Sequence, residues 1–195
     1  MRWLGTLGGS YSTAYSVSDN GIVVGQASDN LGGLRAFRWT YTAGMESLGT
    51  LGGSRSSAIG VSHDGSVVVG SAENASGQPR PFRWTASQGM QDLGNVYASL
   101  LTSGSYLQAV SAVSPNGRYI VGYGFNSATS RGEGFVIDTW LTGDTNGDGS
   151  VDDSDLLTVL FAFGSDNAHS EDINKDGIVD DADLLMVLFN FGSGS

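Results

Sequence analysis

Acidic residues recur at two places in this chain with a spacing that could hold a hard cation. From Asp144 the sequence reads DTNGDGSVDDSD, and from Asp172 it reads DINKDGIVDDAD. Oxygen-bearing side chains stand at positions 1, 3, 5, 9 and 12 of each stretch. These are Asp144, Asn146, Asp148, Asp152 and Asp155 in the first, and Asp172, Asn174, Asp176, Asp180 and Asp183 in the second. Position 6 is glycine in both, Gly149 and Gly177, and position 7, Ser150 or Ile178, offers its main-chain carbonyl. Hard divalent cations of the calcium type take six to eight oxygens in a loop that must turn sharply at the glycine. Four aspartates in one loop repel each other unless a positive charge sits among them. The spacing therefore predicts two bound Ca²⁺ ions, one per loop, with these twelve residues as ligands.

The elements that must position the loops are short helices. Leu156, Val159, Leu160 and Phe163 follow the first loop, and Leu184, Val187, Leu188 and Phe191 follow the second. This i, i+3, i+4, i+7 pattern predicts an amphipathic helix after each loop, ending at Gly164 and Gly192. No matching pattern precedes either loop, so the unit is a loop followed by one helix, duplicated, and the two helices are expected to pack antiparallel. A unit of about 50 residues has little core, and metal binding supplies much of its folding free energy.

The loop pattern is that of the EF-hand class, with Asp in place of the usual Glu at position 12. The duplicated loop–helix unit over about residues 141–193 resembles the type I dockerin domain. That resemblance implies two calcium ions on the ligands already named and, as in cellulosomes, a cohesin partner on a scaffolding protein. Cellulosomal members usually carry a small hydroxyl pair at loop positions 10 and 11; here the pairs are Asp153–Ser154 and Asp181–Ala182.

Charge divides the chain at the same place. The 195 residues include 20 acids and 9 bases, a formal net charge of −11. Residues 1–143 hold eight acids and eight arginines, whereas residues 144–195 hold twelve acids and only Lys175. The expected domains are a neutral body over 1–140 and an acidic unit over 141–195. Hydrophobic content of 39% is ample for packed domains. No apolar run approaches the roughly 20 residues of a membrane span, and a chain this poor in bases lacks the footprint of a nucleic-acid binder.

The body is repetitive. LGTLGGS at Leu4–Ser10 recurs at Leu48–Ser54, and FRWT at Phe37–Thr40 recurs at Phe82–Thr85. Asp19-Asn20-Gly21, His63-Asp64-Gly65 and Pro115-Asn116-Gly117 mark hairpin turns. In the second copy, strands are expected at about 56–62, 66–72, 80–86 and 89–94. Four strands in about 45 residues is the blade unit of a β-propeller or of a related stacked-sheet repeat. The fold class expected is mainly β, with about three propeller-like blades (11–50, 55–95 and 105–139) before the small helical calcium unit. The AFRWT…GM..LGTLGG stretches resemble the HAF-type bacterial extracellular repeat, which implies a secreted or surface protein and no defined activity.

Met1–Gly5 aligns with Met45–Gly49 and Met90–Gly94, so residues 1–7 read as the last strand of a blade, while the third repeat lacks that strand. Strand exchange follows as an expectation: Arg2–Leu7 pairs with the third blade of a neighbouring copy, giving a ring if the rotation closes and a filament otherwise.

Catalytic groups are not evident. There is no cysteine, and the two histidines, His63 in a turn and His169 between the acidic loops, read as solvated turn residues and not as catalytic bases. Trp39 and Trp84, beside Arg38 and Arg83, suit either core packing or a sugar platform. No signal-peptide pattern is visible in this chain, and simple calcium sites fill at the levels found outside cells. The expectation is a non-enzymatic extracellular or cell-surface assembly protein, with a dockerin-bearing accessory subunit of a polysaccharide-degrading complex as the alternative.

Overall fold

The computed structural model describes residues 1–166 and 170–194, which are mainly β and arranged in antiparallel sheets. Two compact units emerge, Met1–Asp138 and Thr139–Ser195. In the first unit, β1 (Gly8–Val17), β2 (Val23–Asp29), β3 (Leu34–Thr40) and β4 (Gly44–Gly49) form one sheet in that order. A second sheet repeats the plan with β5 (Gly52–Val61), β6 (Val68–Asn74), β7 (Pro79–Thr85) and β8 (Gly89–Asp92). The third has three strands, β9 (Tyr106–Val113), β10 (Tyr119–Asn126) and β11 (Arg131–Asp138), with β10 central and β11 at an edge.

Each sheet opens with a hairpin whose turn glycine has positive φ: Gly21 at 80°, Gly65 at 73° and Gly117 at 77°. A serine locks each turn, which turn residues alone did not foretell. Ser18, Ser62 and Ser114 accept the amides of Ile22, Val67 and Tyr119 at 2.9, 3.0 and 2.8 Å. Their hydroxyls donate to Asn20, Asp64 and Asn116. The turns also form a ladder from sheet to sheet: the Asp19 amide donates to the His63 carbonyl, and the His63 amide to the Pro115 carbonyl.

Cores lie between consecutive sheets. Val24 and Ala36 of the first sheet meet Ala58, Val68, Ala72 and Phe82 of the second, with Leu48 of β4 between them. Val69 and Leu93 meet Leu107, Val110, Ile120 and Ile137 of the third region in the same manner. The pairings Gly25–Phe37, Gly70–Phe82 and Gly122–Phe135 recur across the central hairpins. A Cβ at Gly70 would sit 2.1 Å from the Ser57 carbonyl oxygen and 2.8 Å from the Phe82 ring, so close packing excludes any side chain there.

The strand expected at 89–94 ends at Asp92 and continues as a short helix, α1 (Leu93–Val96). Asp92 caps it by accepting the Gly94 amide at 2.8 Å while pairing with Arg80 at 3.0 Å, so the local carboxylate redirects the backbone.

The second unit holds α2 (Asp153–Ala162) and α3 (Asp181–Asn190), around a core of Val151, Val159, Val179 and Val187. The buried stripe differs from the expected one. Asp155 and Val159 are the buried residues of α2, with Leu156 and Ala162 packed beside them, and Leu160 is about half exposed. The reason is geometric: the carboxylate at loop position 12 faces the loop, and the residues one and two turns on share its side of the helix. Among the described residues no helix is long and apolar enough to cross a membrane.

Candidate functional site

The two acidic loops are wired alike except in one of the amides held by position 1. Asp144 accepts the amides of Gly147 and Gly149 at 2.6 and 3.1 Å; Asp172 accepts those of Asp176 and Gly177 at 3.2 and 2.9 Å. Asn146 and Asn174 accept from Asp148 and Asp176, which accept in turn from Ser150 and Ile178, each two residues ahead. These bonds bend the chain around the positive-φ glycines Gly149 and Gly177. Gly147 is needed for a different reason, since a Cβ there would overlap the Trp140 indole.

Position 12 joins the two ends of each loop. Asp155 accepts the amides of Thr145 and Asn146 with one carboxylate oxygen and that of Asp152 with the other, at 2.8, 3.2 and 2.9 Å. Asp183 repeats this with Ile173, Asn174 and Asp180. Asp152 and Asp180 complete reciprocal caps on α2 and α3. The signal for this second role was present in the sequence, because Asp at positions 9 and 12 is also a capping pair.

Both Asp155 and Asp183 are completely buried, and Asp144 and Asp172 nearly so. Among the described residues none of the four forms an ion pair. Burial pushes the Asp144 carboxyl above its ordinary pKa; the amides of Gly147 and Gly149 oppose that, and the charges of Asp155 and Asp148 add to it. Buried carboxylates are costly unless paired or bound to metal, and an all-oxygen donor set suits a hard cation. Among the described residues no three acidic or histidine side chains already stand close enough to cage an ion. The ligand sets expected from spacing draw also on Asn146, Asn174 and the carbonyls of Ser150 and Ile178, and they would have to close around the ion.

In the first unit the distinctive feature is an edge. β4 and β8 cover the outer edges of β3 and β7, whereas among the described residues β11 pairs only with β10. Phe37 and Phe82 are fully buried, while their counterpart Phe135 is half-buried beside a cavity of about 280 Å³. Met1–Thr6 form no strand ladder; Leu4 and Leu7 pack on Ala27, Phe37 and Trp39, and Arg2 stacks over Trp39 and Tyr41. Trp39 is thus a core residue, and Trp84 packs against the core between the first two sheets. His63 is exposed in its turn, 3.0 Å from Asp19, and His169 lies outside the described residues.

No family model matches the chain, and no curated protein matches its sequence. Among solved structures it is similar to a protein described as TolB from Agrobacterium tumefaciens, with TM-score 0.46 and 13% identity over 67% of this chain and 46% of that one. It is similar also to TolB from Acinetobacter baumannii, with TM-score 0.46 and 17% identity over 70% of this chain and 31% of that one. The chain spans less than half the length of either protein.

Proposed function

We propose that this chain is a non-enzymatic, calcium-stabilised assembly protein of the bacterial exterior, whose propeller-like blades join copies by β-strand complementation. The observation that carries this reading is the third sheet, which stops at β11, in a chain whose Met1–Thr6 segment has the pattern of the closing strand and forms no ladder. An open strand edge invites pairing with another chain. The acidic unit is read as a dockerin-like module that folds around two Ca²⁺ ions, and the duplicated loops with their buried carboxylates support that reading. An exterior location agrees with simple calcium sites and with the HAF-type repeat. Comparing the solution mass of the full chain with that of a chain lacking residues 1–9 tests it. Loss of assembly on deletion is expected, and an unchanged assembled mass contradicts strand complementation.

A second reading is favoured by the helices. Leu157, Leu160 and Phe161 of α2 are exposed, as are their counterparts Leu185, Leu188 and Phe189 of α3. Duplicated exposed apolar faces suit docking to another protein, and a cohesin would make the chain an accessory subunit of a polysaccharide-degrading complex. Calcium-dependent binding to a cohesin or to insoluble polysaccharide supports this reading; binding to neither opposes it.

A further inference from the structure

The internal repeats supply a template for what covers the third sheet. In the first sheet β4 lies along β3 with Trp39 opposite Met45, Arg38 opposite Glu46, Phe37 opposite Ser47 and Ala36 opposite Gly49. In the second, Trp84 stands opposite Met90 and Arg83 opposite Gln91. The Gly–Phe pairs align Phe135 with Phe37 and Phe82, and therefore Val136 with Arg38 and Arg83. Met1–Gly5 (MRWLG) has the pattern of Met45–Gly49 (MESLG) and Met90–Gly94 (MQDLG).

The face beside that edge is exposed where its counterparts are buried. Val24 and Val69, which cover the next sheet, are 0% exposed, whereas Val121 is 40% exposed. Tyr123 stands where the first two sheets carry Gln26 and Ser71, and Val136 where they carry Arg38 and Arg83. The third sheet is thus more apolar at the positions it exposes, 49% at Tyr123 and 66% at Val136. At the other end of the repeat, Leu4 and Leu7 pack on the first sheet as Leu48 and Leu51 do on the second.

We infer that the third sheet receives a second copy of this chain in one register, with Met1 opposite Ile137, Arg2 opposite Val136, Trp3 opposite Phe135 and Gly5 opposite Gly134. The first sheet of that copy then covers Val121 and Tyr123. The inference rests on the strand-complementation reading and specifies its geometry. The junction is head-to-tail, so it is heterologous and propagates or closes into a ring. It is also weaker than the junctions inside the chain. The turn ladder passes from Asp19 to His63 to Pro115, and Pro115 has no amide hydrogen to donate to the next turn.

The chain has no cysteine, so a cross-link reads the register cleanly. Opposed residues of antiparallel strands have Cα atoms about 4.5–5.5 Å apart, within disulfide reach. Chains carrying Arg2→Cys and Val136→Cys, distinguished by mass, are mixed under mild oxidation, with Gly132→Cys as the out-of-register control. A mixed disulfide of Arg2→Cys with Val136→Cys, at least about tenfold (about 1.4 kcal/mol) over the control, is expected. Assembly without that preference overturns the register and leaves strand complementation standing. A monomer at every concentration overturns both.

Discussion

The amide of Val151 donates to the carbonyl of Ser193 at 3.0 Å, and the carbonyl of Val151 accepts from Gly192 at 2.8 Å. The first acidic loop is thereby tied to the chain beyond α3. Val179 is tied in the same way to Gly164 and Ser165 beyond α2. Each loop is thus tied to the chain just beyond the helix that follows the other loop, which couples the two.

Asp183→Ala follows directly from that cross-tie. It strips the partner from the part-buried amides of Ile173, Asn174 and Asp180, a loss of at most about 1–3 kcal/mol for each. Titration calorimetry with Ca²⁺ is expected to lose both binding events, with the first loop weakened at least about 100-fold, or about 2.7 kcal/mol. A first site that binds as before contradicts the coupling.

Calcium removal is expected to affect the two units differently. Excess chelator is expected to abolish the helical circular-dichroism signal of α2 and α3 and leave the β signal of the first unit. With calcium restored, stability rises with the logarithm of its concentration, about 1.4 kcal/mol per tenfold excess over Kd. Helical signal indifferent to both treatments contradicts a calcium-folded unit.

Gly70→Ala tests the close packing of the sheets. Its Cβ would fall 2.1 Å from the Ser57 carbonyl oxygen and 2.8 Å from Phe82, both fixed by the core. Overpacking of this kind costs about 1–3 kcal/mol, to be read as a lower denaturant midpoint of the first unit. Gly77→Ala makes no such contact but strains a positive φ of 74°, and a smaller loss is expected.

Ser62→Ala tests the turn lock. Ser62 is fully buried, and its loss leaves the buried Val67 amide without its hydroxyl partner. A destabilisation of about 1–3 kcal/mol is expected. Ser114→Ala, at a less buried turn, is expected to cost less by the same measurement.

The mainly β, antiparallel character was legible because the Asp-Gly and Asn-Gly turns and the FRWT and LGTLGGS repeats are local signals. Gly21, Gly65 and Gly117 do adopt the positive φ such turns demand. The turn serines were not legible, since a serine before a turn is common and only the hydrogen bonds show that Ser18, Ser62 and Ser114 lock it. In the acidic unit, spacing identified the oxygen-bearing positions but not their wiring. The tie of Val151 to Ser193 spans 42 residues and follows from tertiary packing. The same packing turns Val159 inward and leaves Leu160 half exposed, which helical periodicity could not distinguish.

Val136→Lys places a charge on the exposed edge of β11, where it disturbs no core residue. Lysine on an edge strand opposes pairing with another chain. The variant is expected to fold normally and associate at least about tenfold more weakly, or about 1.4 kcal/mol. Association equal to that of the unmodified chain would show that β11 is not the joining edge.

Sedimentation of the purified chain in calcium, across a concentration series and with no other protein present, tests self-assembly most directly. Concentration-dependent growth to rings or filaments, reversed on dilution with the sheets still folded, is the predicted result. A single monomeric species at every concentration would contradict it.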